Sequence, residues 1–538
     1  MKRLLVVPFI AGLLPAFFLS LSIQTGRADS ATWKTNPVSG DWNHAANWTP
    51  PTIPNGPSDT ATFGSSDVTD VFNSAGEQLT EVNGIVFDAG ANAFTITAST
   101  FLYITGVGIG NNSGIPQNFV VPASFGISFR NGATAGSGTL FTINGSTAGV
   151  PYAGHIDFEH SSAGNGIFVI PYNADSGNNN NGGFILFLRG STAGNGTFTI
   201  NGGAVRGAMG GYIAFFAIGD IPTAANGIFT INGGAVRGAG GGSAIFEIFS
   251  DAGAATLTAN GGLNGGEGGL IEFSDDSFGG SARVQVFGSG RLDISGHVAP
   301  GVTVGSIEGD GLVFLGARNL TVGSNHLSTN FSGLIQDGGL SGGTGGSLTK
   351  IGTGKLVLSD PNSYTGGTTV KRGRLIINNR HDSGTGSGPV EVNGGRFGGM
   401  GIVAGAVTVG SGVGREAVLS PGYHHSFNPG TLTIQSPLTF NSDGTYEIEV
   451  NSSTETVDKV VAFGVTINTG AQTLFADLGN GTFTVGNVFT VIDNTSATPI
   501  AGTFSDLPDG AVFTLNGNNF QASYTGGDGN DVTLTVVP

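Results

Sequence analysis

The stretch "TAGNGTFTINGGAVRGAMGG", residues 192–211, returns as "TAANGIFTINGGAVRGAGGG" at 223–242, identical at 17 of 20 positions. Weaker copies flank the pair: "GTLFTING" at 138–145, "NGIFVIPYN" at 165–173 and "ATLTANGG" at 255–262. A second apolar triplet keeps the same beat, in Ile156-Asp157-Phe158, Ile185-Leu186-Phe187, Ile213-Ala214-Phe215, Ile245-Phe246 and Ile271-Glu272-Phe273. Its phenylalanines recur at nearly even intervals, from Phe158 through Phe187, Phe215 and Phe246 to Phe273. Periods in this range mark stacked architectures, whose units hide their apolar faces only against their neighbours.

Each unit reads as strand. Phe198 and Ile200 alternate with Thr197 and Thr199, the two-residue period of a half-buried strand. Gly pairs and Asn-Gly steps punctuate the strands where tight corners need left-handed backbone. No stretch after the leader keeps a 3.6-residue apolar period for three turns. The expected fold is all-β: a right-handed parallel β-helix with an N-terminal cap and a C-terminal β region. Phe198, Phe229 and Leu257 stack inside it, and Asn144, Asn201, Asn232 and Asn260 fall at equivalent corners. A β-propeller blade needs four strands in about 40 residues, and these units are too short.

Composition narrows the function. Of 538 residues 96 are Gly, only 11% are charged, and the net charge is −17. Nucleic acid demands clustered Lys and Arg; Lys371, Arg372 and Arg374 are the nearest approach, so nucleic acid is set aside. Lys2 and Arg3 precede an apolar run from Leu4 to about Leu21, and Gly26-Arg27-Ala28 follows. That is the order of a secretory signal peptide, read as residues 1–28 with Ser30 as a second cleavage point. A membrane anchor is the competing reading, but Pro15 interrupts the run and no other segment approaches the ~20 apolar residues a span requires. The mature chain is expected to be secreted or at the cell surface. Without cysteine it relies on packing and backbone pairing. The expected parts are an N-terminal cap with first rungs (29–130), the regular repeats (131–300), further rungs (301–440) and a C-terminal β-rich region (441–538). At about 28 residues per rung and ~4.8 Å per rung, the rod is on the order of 80 Å long.

The segment 345–376 has a pattern of its own: Leu348-Thr349-Lys350, Gly352-Thr353-Gly354, Leu356-Val357-Leu358, then Asn362-Ser363-Tyr364-Thr365-Gly366-Gly367-Thr368-Thr369-Val370 and Gly373-Arg374-Leu375. It resembles the passenger-associated transport repeat, also called the autotransporter-associated β-strand repeat, almost without gaps. "GPVEVNGGRFGGMGIVAG" (388–405), "LSPGYHHSFNPGTLTI" (419–434) and "FQASYTGGDGNDVTLTV" (520–536) are similar to that family's downstream course, and "TWKTNPVSGDWNHAANWTPPTIPNGPSDTATFG" (32–64) to its Trp-rich start in Gram-negative bacteria. The resemblance implies a rung of a secreted β-helix, associated with moving or folding passengers across the outer membrane. It also implies a membrane β-barrel, for which the residues after the family segment are too few. Val536-Val537-Pro538 stands where related proteins often begin a Val-Pro-Glu-Pro sorting tail.

Candidate chemistry is sparse. Asp157, Glu159, Glu247 and Glu272 lie on repeat strands, with Asp275 and Asp276 beyond. Sugar-cleaving β-helices set paired acids on neighbouring rungs, but here Leu186, Leu188, Ala214 and Phe216 hold the equivalent positions between them. These acids are therefore expected to face water, and no catalytic residue is assigned. His424-His425 has no further ligand at metal spacing, and "GGDGND" (526–531) is a single copy of a calcium-type repeat, read as a tight turn. No metal or cofactor is expected. Trp33, Trp42 and Trp48 are all the tryptophans of the chain, and they fall close together. They are the candidate glycan platform, although covering the open end of the solenoid is the favoured use. The function expected is an exported structural or adhesive scaffold without catalysis, with cell-surface or extracellular glycans or proteins as partners. The alternatives are a carbohydrate-binding protein acting through the tryptophans, and a polysaccharide lyase or hydrolase.

Overall fold

The computed structural model describes residues 30–74, 79–176, 181–414, 416–422 and 429–538. The leader and His424-His425 lie outside them. Among the described residues the only helical element is a single 3-10 turn, Ala45–Asn47; the rest is strands, turns and loops.

The strands stack as a parallel β-helix. One 14-stranded sheet begins in the cap with Trp48–Thr49, antiparallel to Ala31–Trp33, and ends at Leu334–Gln336. A second ladder runs from Asp70–Phe72 to Gln472–Asp477, every step from one rung to the next parallel. Its sixteen or so spacings of ~4.8 Å give a length close to ~80 Å. A third, 8-stranded sheet opens at Gly301–Val304, so rungs with two strands give way to rungs with three. The stack ends in a sheet whose last strands, Val512–Leu515, Asn518–Gly526 and Asp531–Val537, pair antiparallel. The "GGDGND" segment is the turn between the last two.

Register decides the core. Thr197–Ile200 lies on Ile228–Ile231 so that Phe198 meets Phe229 and Ile200 meets Ile231, and Phe229 meets Leu257 on the next rung. The rings form two ladders. Phe119, Phe141, Phe168, Phe198 and Phe229 stack at 4.7–4.9 Å on the second sheet. Phe129, Phe158, Phe187, Phe215, Phe246 and Phe273 stack at 4.5–5.0 Å on the first. The ladders meet edge to face at 5.8–5.9 Å. Buried phenylalanines contribute about 1.5–3 kcal/mol each by burial, and each favourable ring pair adds roughly 0.5–1.5 kcal/mol.

Corners follow the same rule. Asn232 Nδ2 donates to Asn201 Oδ1 and Asn260 Nδ2 to Asn232 Oδ1, both at 2.8 Å. Asn144 stays out of this ladder because the rung between it and Asn201 carries Pro171 at the corner. Rung length is the main departure from the expected beat. Leu348 pairs with Thr368 and Val390 with Val407, so rungs near the passenger-type segment are far shorter than the regular repeats, in which Phe198 pairs with Phe229.

Inside and outside are therefore energetically distinct. Phe229→Ala should cost about 3–5 kcal/mol by cavity formation, whereas exposed Arg206→Ala and Arg237→Ala should stay within ~0.5 kcal/mol. Urea unfolding of the three variants checks this; equal losses would contradict the register.

Candidate functional site

The tryptophans form the floor of the cap. Trp33, Trp42 and Trp48 are 2%, 1% and 0% exposed. Their rings meet edge to face at 5.0 and 5.1 Å and all three pack on Phe63, which leads into the phenylalanine core through Phe87 and Phe94. Each indole N–H donates to a backbone carbonyl, of Val68, Pro54 and Trp42 respectively. A sugar platform needs an open ring face, and these rings offer none. The glycan-platform expectation is corrected to an end cap: the apolar end of the stack must be covered, and indoles cover the most area per residue.

The acids sit on the outer face of the first sheet. Its outward side chains read, rung by rung, His155-Asp157-Glu159, Phe184-Leu186-Leu188, Tyr212-Ala214-Phe216, Ser243-Ile245-Glu247, Leu270-Glu272 and Arg291-Asp293. Apolar rungs thus divide two acidic groups. In the first, Glu159 lies 3.7 Å from Arg130 and 3.8 Å from Arg189, and Asp157 lies 3.7 Å from His155. Asp157 Oδ1 is buried without a hydrogen-bond partner. Burial, helped by Glu159, raises its carboxyl against the pull of His155 and Arg130.

In the second group, Asp293 is fixed by Ser295 N–H and Oγ–H on Oδ1 (2.9 and 2.6 Å) and by Leu340 N–H on Oδ2 (2.8 Å). Glu272 is its register partner. Burial first, then Asp293, Glu247 and Asp275, push Glu272 up to about 7; burial and Asp275 also raise Glu247. The expectation that Asp157, Glu247 and Glu272 face open water needs correction. They do point outward, but strand spacing crowds them against bulky neighbours and one another. Asp293 was not legible because its rung closes early, Leu270 pairing with Arg291, out of step with the longer beat that pairs Ser243 with Leu270.

The third place is 345–376. Ser347–Lys350 lies under Thr368–Val370, and Lys355–Leu358 under Arg374–Ile377. The motif is thus two successive turns stacked on each other rather than a single rung. Leu348, Leu356, Leu358, Val370 and Leu375 are core. Tyr364 is buried, its hydroxyl 2.5 Å from Thr368 Oγ1. Asn362 ties neighbouring turns: Oδ1 accepts from Ile335 N–H and Nδ2 donates to the Gly384 carbonyl, both at 2.7 Å. Gly352 and Gly373 have φ of 67° and 71° at one corner, where a Cβ on Gly373 would press on the Gly352 carbonyl and one on Gly352 on that of Gly323. Gly354, Gly366 and Gly367 are equally confined by backbone of adjacent turns.

Comparison with known proteins agrees at this segment. Residues 348–377 match the passenger-associated-transport-repeat. The chain carries that repeat. It is also 37% identical over 109 residues to the Adhesin BmaC autotransporter of Brucella suis biovar 1 (strain 1330), a match covering 19% of this chain and 3% of the adhesin. Among solved structures it is similar to the Haemophilus influenzae Hap adhesin, at 8% identity and a TM-score of 0.27, over 89% of this chain and 63% of that one. The fold itself rests on the strand register above. The repeat also holds a buried cation: Lys350, its Nζ donating to the Ile351 carbonyl, is lowered to about 8 by desolvation.

The Glu272 group gives a pH signature. Its folded-state pKa lies above the ordinary value, so the folded chain keeps a proton that the unfolded chain releases between about pH 4.5 and 7. The contribution of Glu272 to stability should therefore fall as pH rises through that window and level off above it, while Asp458, raised to about 8 by burial, extends the decline further. With partial exposure discounted, the loss is roughly 1–3 kcal/mol, and Glu272→Gln should reduce the slope by that share. Thermal melts at pH 4.5–8 check this; an unchanged slope in the variant would refute the assignment.

Proposed function

We propose that the protein is an exported, adhesive β-helix without catalytic activity of its own, displayed by or released from a Gram-negative cell. Its partners are cell-surface or extracellular glycans or proteins. The observation that carries this reading is the use of the motif residues at 348–377. Leu348, Leu356, Leu358, Val370 and Leu375 fill core, Gly352, Gly354, Gly367 and Gly373 sit where neighbouring backbone leaves no room for a side chain, and Asn362 makes inter-turn hydrogen bonds, so the motif is used as scaffold. The passenger-associated-transport-repeat and the adhesin relative support the same class. No helix among the described residues is long and apolar enough to cross a membrane.

A second reading has one observation in its favour. Glu272, pushed up to about 7 by burial and then by Asp293, is the register partner of the hydrogen-bonded Asp293, and two neighbouring carboxyls are the arrangement used in sugar cleavage. The apolar rungs that separate this group from Asp157 and Glu159 give a long substrate no continuous polar track. The test compares wild type with the variant carrying Asp157→Asn, Glu159→Gln, Glu247→Gln and Glu272→Gln. Neither should cleave any of a panel of acidic polysaccharides, and both should bind host or bacterial cells equally. Cleavage by the wild type that vanishes in the variant would make the protein an enzyme.

A further inference from the structure

The second sheet presents an outer face unlike the rest of the molecule. Two columns of side chains point outward over seven consecutive rungs. One holds Thr95, Asn118, Leu140, Ile167, Thr197, Ile228 and Thr256; the other holds Thr97, Val120, Thr142, Val169, Thr199, Thr230 and Thr258. None is charged, on a chain of net charge −17, and charge returns only at the ends, with Asp70 below and Arg283 above. Asparagines border both sides as ladders: Asn165–Asn195–Asn226 and Asn201–Asn232–Asn260.

The face is open, and it is flattest over the four rungs from Leu140 to Ile228. Consecutive rings beneath it, Phe141 to Phe229, are 5–10° from parallel, so successive rungs superpose almost without the twist usual in sheets. Ile167 and Ile228 are 46% and 49% exposed. Among the described residues the hydroxyls of Thr197, Thr199, Thr230 and Thr256 make no hydrogen bond to protein. The columns therefore offer methyls and hydroxyls on a fixed grid, ~4.8 Å from rung to rung and about 6.6 Å across a strand.

A flexible peptide or a soluble sugar gains nothing from such long-range regularity; a solid with its own repeat does. The grid spacings lie near the oxygen repeats on faces of hexagonal ice. A neutral face matches a neutral lattice, because charged side chains would hold their own hydration shells against it. We propose that this face binds ice, the hydroxyls joining the water lattice and the methyls filling its hollows. The inference rests on the adhesive reading and names the surface; cell binding without ice binding would leave that reading standing and end this one.

The test is freezing-point hysteresis and ice-growth shaping by the purified full chain at micromolar concentration. Wild type should arrest and facet ice crystals. The Thr199→Lys/Thr230→Lys variant should lose at least ~tenfold of that activity, since each hydrated ammonium props the lattice away. Leu186→Lys, the same charge on the first sheet, should retain it, with circular dichroism confirming the fold of all three. Absence of hysteresis in folded wild type, or activity indifferent to the two lysines, overturns the proposal. So does retention on crystalline chitin or cellulose without ice activity, or concentration-dependent sedimentation, lost in the double variant, without ice activity. Those two outcomes would assign the face to a polysaccharide or to a second copy of the chain.

Discussion

The structure depends on the in-register stacking of like residues at the strand spacing. Parallel pairing fixes neighbouring rungs ~4.8 Å apart, a distance at which two phenyl rings can lie face to face. Phe198 on Phe229 at 4.7 Å and Phe187 on Phe215 at 4.5 Å satisfy backbone and side chain together. The two ladders then meet edge to face, the other favoured ring geometry, which fills the space between the sheets without a second kind of residue. A slip of one residue would turn every ring to solvent. Repetition in the sequence is therefore a packing requirement.

The same spacing is a liability for charge. Ring on ring is favourable, but carboxylate on carboxylate is not, and Glu272 shows it: burial first, and then its register partner Asp293, raise its proton affinity. Asparagine can donate and accept at once, so it tolerates self-stacking, and it occupies the corner ladders. This accounts in part for a chain with few charges yet many Asn, Thr and Gly: few other polar residues can be repeated every rung.

Much of this was legible in the letters. The near-identical copies at 192–211 and 223–242 gave the strand period and the stack, and placed Phe229 between Phe198 and Leu257. The passenger-type motif was legible because its glycines are set by close backbone approach, which leaves no substitute at Gly352 or Gly373. Rung length was not. Corners can take loops of different size without disturbing the strands, so a constant beat fails after Leu270, and with it the pairing of Asp293 with Glu272. The cap tryptophans were located but their ring faces were not: burial at the end of a stack depends on how the chain folds over, which their closeness in sequence does not encode. The uncharged outer face of the second sheet was written in the alternation itself, every second letter of each strand, but reads as a surface only once the register aligns seven rungs.

The most direct test measures that register. The chain has no cysteine, so paired nitroxide labels can be placed uniquely. Thr97, Thr199 and Thr258 stand in one outward column, with Thr199 four rungs and Thr258 six rungs from Thr97. Double electron–electron resonance on the pairs Thr97→Cys/Thr199→Cys and Thr97→Cys/Thr258→Cys should give narrow distributions near ~19 and ~29 Å, rising linearly by about 4.8 Å per rung. Broad distributions, or distances that do not grow with rung number, would contradict a parallel in-register stack.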